Sequence, residues 1–225
     1  MDIKELPETL HILNKIYKIK AKKIRPFEIL IHGILSTRTR DETTFPAQRR
    51  LLNAANTPEK LLLLDRKTIE GLIYPVGFYK IKAKLLLRAC GALIKKFGGT
   101  VPRGRKELLE IPGVGPKVAS LVQVWGFGMP VIPVDTHVNR ISQRLGLVPK
   151  GNAPEKTQLV LERVLNSDQR MVANMVLVNF GRDICRPVYP QCYRCPVYGY
   201  CVFEEKEYFY KKGTTGVKSY KLLKP

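Results

Sequence analysis

Four cysteines late in the chain, Cys185, Cys192, Cys195 and Cys201, stand as C-x6-C-x2-C-x5-C. A span this short wraps one compact centre, and four thiolates suit either tetrahedral zinc or an iron–sulfur cluster. Structural zinc usually shows two close cysteine pairs. Here only Cys192 and Cys195 form one, and the wide outer spacings favour a bulkier cube over zinc. Arg182, Arg186 and Arg194 lie in and beside this segment, so a metal-folded loop would present cations to phosphate. Cys90 lies apart, in the apolar stretch Lys84 to Leu93, and reads as core.

A second constellation precedes the cysteines. In Leu108-Leu109-Glu110-Ile111-Pro112-Gly113-Val114-Gly115-Pro116-Lys117-Val118-Ala119-Ser120-Leu121-Val122, apolar residues flank a glycine turn on both sides, the pattern of helix, tight turn, helix. Gly113 and Gly115, on either side of Val114, let the backbone turn sharply and approach a ligand, and Pro116 fits a helix's opening turn. N–H groups at such a start form an anion site, for which a DNA phosphate is the expected anion; an ordinary helix–helix turn is the plainer alternative. Nucleotide binding fits poorly, because Val118 replaces the third glycine of G-x-G-x-x-G and no G-x4-G-K-[ST] occurs. Lys117 sits just past the turn, where positive potential and partial burial favour a neutral, nucleophilic amine. Asp135, in Val134-Asp135-Thr136-His137-Val138-Asn139-Arg140, is a good N-cap. Facing a cleft, the same carboxylate would stabilise the positive charge that builds on a sugar as its glycosidic bond breaks. His11, His32 and His137 are scattered, and neither H-E-x-x-H nor G-x-S-x-G occurs.

The elements that must position these residues read as helices. Apolar residues recur at three and four from about Pro7 to Lys20, Phe27 to Leu35, around Ala47 to Ala55, from Pro58, and over Lys67 to Tyr74 and Tyr79 to Phe97. After the extended, proline-marked Pro130–Val134, helices resume at Thr136 to Leu145, Pro154 to Leu165 and Gln169 to Phe180. The tail from Val202 carries no pattern. Period-two strands are nearly absent, so the fold class is all-α. The 225 residues carry 39 Lys and Arg against 19 Asp and Glu, a formal charge of +20, with 44% apolar residues. A folded chain this basic expects a polyanion; nucleic acid leads and an anionic membrane surface is the rival. No apolar run reaches the roughly 18 residues of a spanning helix. Met1-Asp2-Ile3-Lys4-Glu5 opens without an apolar signal region, which argues for an intracellular setting, cytoplasm or nucleoid, with metal rather than disulfides at the cysteines.

In this order, L-x-x-I-P-G-V-G-x-K-x-A, V-D-T-H-V-x-R and the cysteine spacing closely resemble the endonuclease III family of base-excision DNA glycosylases, from about Phe27 to Cys201. The resemblance implies two helical lobes flanking a DNA-binding cleft. One is 21–132 with the helix-hairpin-helix; the other is 1–20 plus 133–225, with a [4Fe-4S] loop at 185–201 held by the four cysteines. It implies a monomer that does not engage membranes and acts on double-stranded DNA containing a damaged base or abasic site. The damaged nucleotide is flipped out and an oxidised pyrimidine removed. Lys117 attacks the sugar, a Schiff base forms and β-elimination cuts the strand, while Asp135 activates the lysine and stabilises the sugar cation. Gly113, Val114 and Gly115 would bind backbone phosphate. Within L-S-x-Q-x-x-D, relatives commonly place a glutamine that fills the vacated stack. This chain has Arg38 there, in Leu35-Ser36-Thr37-Arg38-Thr39-Arg40-Asp41. The wedge leucine of G-L-Y is Phe78, which reads as an aromatic wedge or as a core ring. Asp41 aligns with a pocket aspartate or caps the next helix. A mismatch or uracil glycosylase on the same scaffold is the nearest alternative. A noncatalytic iron–sulfur DNA-binding protein is another, disfavoured because a pure binder needs neither Lys117 nor Asp135.

Overall fold

The computed structural model describes residues 2–214; residue 1 and residues 215–225, the end of the lobe expected over 133–225, lie outside the described residues. Every regular element among the described residues is helical. The α-helices are α1 (Leu6–Tyr17), α2 (Pro26–Ser36), α3 (Asp41–Ala54), α4 (Pro58–Leu62), α5 (Arg66–Ile73), α6 (Tyr79–Phe97), α7 (Arg105–Leu109), α8 (Pro116–Leu121), α9 (Thr136–Arg144), α10 (Pro154–Val164), α11 (Ser167–Asp183) and α12 (Lys206–Thr214). No described helix is long and apolar enough to cross a membrane. The chain divides into two compact units, Lys22–Met129 and Met1–Ala21 with Pro130–Pro225.

In the unit Lys22–Met129, α2 is the central helix. Ile29, Leu30, Ile31, Gly33, Ile34 and Leu35 are all buried, as expected of a helix covered on several sides. It is packed by α3, α6 and α8. Local chemistry sets the surrounding ends: Thr57 caps α4 by accepting from the Lys60 N–H at 3.3 Å, and Asp65 caps α5 by accepting from Thr68 at 3.0 Å. The helix expected around Ala47 to Ala55 begins earlier, at Asp41, so that Pro46 lies inside α3. Burial of Thr44, Ala47 and Leu51 outweighs the lost proline N–H there. Cys90 is buried on α6, where burial pushes its thiol up to about 12, an inert core residue. Beyond α8, Val122–Gly126 widens into a π turn whose Trp125 carbonyl accepts from the Ile24 N–H at 2.9 Å.

In the other unit, α1 and α9 both pack on α11. Leu10, Leu13, Val138, Ile141, Val176, Leu177 and Phe180 form its apolar centre. Helix α1 stops at Tyr17, short of the expected Lys20, because Lys18 turns left-handed (φ 51°) and closes the helix with an N–H to the Asn14 carbonyl, 2.8 Å. The Asn14 side chain then brackets the Ile19 backbone, accepting its N–H at 2.9 Å and donating to its carbonyl at 3.3 Å. Helix α11 starts at Ser167 rather than Gln169, fixed by a reciprocal cap between Asn166 and Gln169. The tail that carried no sequence pattern supplies α12, which packs on the cysteine segment.

Candidate active site and metal centre

The glycine hairpin is built as helix, turn, helix. After α7, the Val114 N–H donates to the Ile111 carbonyl at 3.0 Å and the Val114 side chain is buried. That N–H therefore closes the turn itself. Gly113 takes φ +87°, a conformation that strains any residue with a Cβ. A Cβ built on Gly115 would meet nothing within 4 Å, so this side of the turn is open to approach. Lys117 is the second residue of α8 and half-buried.

Helix α8 is seated on α2 through Gly33, where a Cβ would lie 2.4 Å from Val118 Cγ1. Only the bare backbone permits this approach. One residue earlier, His32 places Nδ1 2.9 Å from Gln48 Oε1 and stacks on Phe45 with ring centroids 4.9 Å apart. Burial lowers its pKa, opposed by the Gln48 hydrogen bond and the Asp41 carboxylate and reinforced by the Lys117 ammonium, so the ring is neutral at pH 7. Asp41 and Lys117 thus both act electrostatically on one imidazole. Asp41 is the first residue of α3, one beyond the cap position, which Arg40 occupies; its charge favours the helix start without serving as the cap. His32 is the residue that scattered histidines concealed: its neighbours come from positions 41, 48 and 117, which only the fold unites.

Arg38 and Phe78 also belong to this unit, and both are exposed, Phe78 by 56%, so its ring is not core. Both take left-handed backbone angles, φ 52° and 59°. The Arg38 guanidinium carbon lies 6.0 Å from the Phe78 ring centroid, a cation–π contact. Beneath them is a group with no sequence signal, Lys82. It is 4% exposed, and its Nζ donates to the Leu35 carbonyl (2.7 Å), the Thr37 carbonyl (2.5 Å) and Thr39 Oγ1 (3.0 Å). Burial draws its pKa down to about 8, which still leaves an ammonium at neutral pH.

In the unit of α1 and α9–α12, Asp135 is the N-cap of α9. Its Oδ1 accepts from both the His137 and the Val138 N–H, each at 2.9 Å. One oxygen thus makes both cap bonds. One turn on, Arg140 donates to the Gly181 carbonyl at 3.1 Å and the Cys185 carbonyl at 2.9 Å, tying the start of α9 to the cysteine segment.

Cys185, Cys192, Cys195 and Cys201 line one pocket together with Arg144, Phe180, Ile184 and Phe203. Burial raises the thiols of Cys192, Cys195 and Cys201, Cys192 to about 11, so ionisation there requires a bound cationic centre. Arg144 supplies positive potential from the side, donating to Cys185 Sγ at 3.4 Å and lying 4.3 Å over the Phe203 ring. Among the described residues no three His, Cys, Asp or Glu converge on a point where one metal ion would be held. Four thiols lining one pocket are a donor set suited to either a zinc ion or an iron–sulfur cluster.

Comparison with known proteins agrees with this geometry. Residues 31–167 match the family model for the HhH-GPD superfamily base excision DNA repair protein. Endonuclease III of Thermotoga maritima is 41% identical over 182 residues, 81% of this chain and 85% of that protein. Endonuclease III of Rickettsia prowazekii is 35% identical over 202 residues, 85% of this chain and 95% of its own length. Among solved structures, a trapped endonuclease III–DNA covalent intermediate superposes with a TM-score of 0.84 at 30% identity, over 92% of this chain and 98% of that one. The all-helical fold, the glycine hairpin and these likenesses together establish that the chain belongs to the endonuclease III family of HhH-GPD base-excision repair proteins, the DNA glycosylases with AP-lyase activity.

Proposed function

We propose that this glycosylase and AP lyase binds double-stranded DNA containing a damaged base or an abasic site, excises oxidised pyrimidines and uses Lys117 as its nucleophile. The observation that carries this reading is the placement of Lys117: half-buried, at the opening turn of α8, directly behind an open glycine turn. Asp135 takes up the proton that frees the amine. The amine attacks C1′, the C1′–N bond breaks and the base leaves with a proton. The sugar ring opens to an imine, a C2′ proton is lost and the C3′–O bond breaks; hydrolysis of the imine returns the amine. Asp135 passes its proton to the departing base, and the carboxylate so regenerated stabilises the positive charge on the sugar as the C1′–N bond breaks. Gly113 and Gly115 admit the phosphate backbone, Val114 keeps the turn closed, Phe78 enters the stack and Arg38 faces the base opposite the lesion.

The substrate is tested by single-turnover incision on duplexes differing in one base. Thymine glycol and dihydrouracil are expected to be cut faster than uracil or thymine in a mismatch. The reverse order would assign the chain to mismatch repair, and binding without incision would make it a noncatalytic binder.

Cys185, Cys192, Cys195 and Cys201 are the residues that would hold a [4Fe-4S] cluster, supported by their shared pocket and by Arg144 beside them. When bound, such a cluster would fold the loop and present its arginines to phosphate, or carry one electron. Anaerobically purified protein is expected to be brown, with about four irons per chain. Colourless protein with one zinc would refute the cluster.

A further inference from the structure

We infer that Lys82 is a positioning residue for strand recognition, whose buried ammonium fastens the loop between α2 and α3 to the start of α6 and so holds Arg38 and Phe78 as one reading head. The inference rests on the roles proposed for those two residues.

Lys82 lies one helical turn after Phe78, and its N–H donates to the Phe78 carbonyl at 3.0 Å. Its three ammonium donors are matched by the Leu35 carbonyl, the Thr37 carbonyl and the Thr39 hydroxyl. A buried ammonium is costly unless every donor finds an acceptor. Here all three acceptors belong to the end of α2 and the loop that follows, so the charge is satisfied only while that loop keeps its shape. The same loop holds Arg38 at φ 52°, and Phe78, the residue just before α6, is held at φ 59°. Side-chain-bearing residues keep such angles only where their surroundings fix them. Backbone packing completes the joint: a Cβ on Gly77 would lie 3.1 Å from both the Arg38 carbonyl oxygen and Thr39 Oγ1. A buried apolar side chain of the same length would fill the space of Lys82 but leave two carbonyls without their donor. At 4% exposure Lys82 is not a phosphate contact, which separates it from the chain's surface cations.

A binding measurement without chemistry tests this. A duplex carries a tetrahydrofuran abasic analogue with 2-aminopurine opposite it, and fluorescence is read at saturating protein. Insertion of Phe78 and Arg38 unstacks the probe, so wild type is expected to raise its fluorescence. Lys82→Met is expected to bind the duplex but lose more than about half of that rise, Arg38→Ala to lose a similar share, and the double variant little more than either. A full rise in Lys82→Met beside a reduced one in Arg38→Ala would overturn the positioning role and leave the reading of Arg38 intact. No rise in wild type would overturn the reading of Arg38 and Phe78, and the positioning role with it. Losses that multiply in the double variant would show that Lys82 acts independently of Arg38 and would also overturn the inference. Should Lys82→Met fail to fold by circular dichroism, Thr39→Val removes one of the ammonium's three acceptors at nearly constant volume and is expected to lose part of the rise; a full rise there would overturn the inference.

Discussion

Asp135 has two jobs that a single substitution can separate. As the cap of α9 it accepts two backbone N–H groups through one oxygen. As a carboxylate it carries the charge that the proposed chemistry needs. Asparagine caps helices as well as aspartate does but is neutral. Asp135→Asn is therefore expected to leave the thermal midpoint nearly unchanged while the single-turnover excision rate falls on the order of 10²-fold. Asp135→Ala should lose the same activity and, in addition, about 1 kcal/mol of stability. Full activity in the asparagine variant would reduce Asp135 to a cap. Lys117 and Asp135 stand out in the sequence because local motifs surround them. His32 and Lys82 do not, because a histidine in an apolar run and one lysine among many acquire their meaning from burial and from partners tens of residues away.

At the scale of elements, periodicity and punctuation placed most helices, since apolar faces and caps are local. The boundaries that differed were set by packing. Helix α3 runs through Pro46 because its inner face is buried, and α1 stops early because Lys18 turns left-handed under Asn14. The approach of α2 to α8 was equally hidden, because Gly33 looks like any glycine in an apolar helix until Val118 is found against it. Adding one methyl there forces the two helices apart. Gly33→Ala is expected to cost about 1–3 kcal/mol in denaturant unfolding despite alanine's better helix propensity. It should also slow incision more than it weakens binding to undamaged duplex, since Lys117 rides on α8. A neutral or stabilising outcome would mean that the hairpin does not depend on this contact.

Across the whole molecule, the formal charge of +20 names a class of partner and nothing more. A polyanion would be drawn to such a chain whether or not it could do chemistry. The reaction proposed rests on Lys117, which acts electrostatically on His32, a residue far from it in the chain. The covalent step leaves a signature that charge alone cannot produce. Borohydride added during turnover of an abasic-site duplex reduces the imine to a stable secondary amine. A single adduct mapped to Lys117 by peptide mass analysis, and lost in Lys117→Gln, is the expected result. An active protein that yields no adduct, or one whose adduct lies at another residue and survives Lys117→Gln, would contradict Lys117 as the nucleophile.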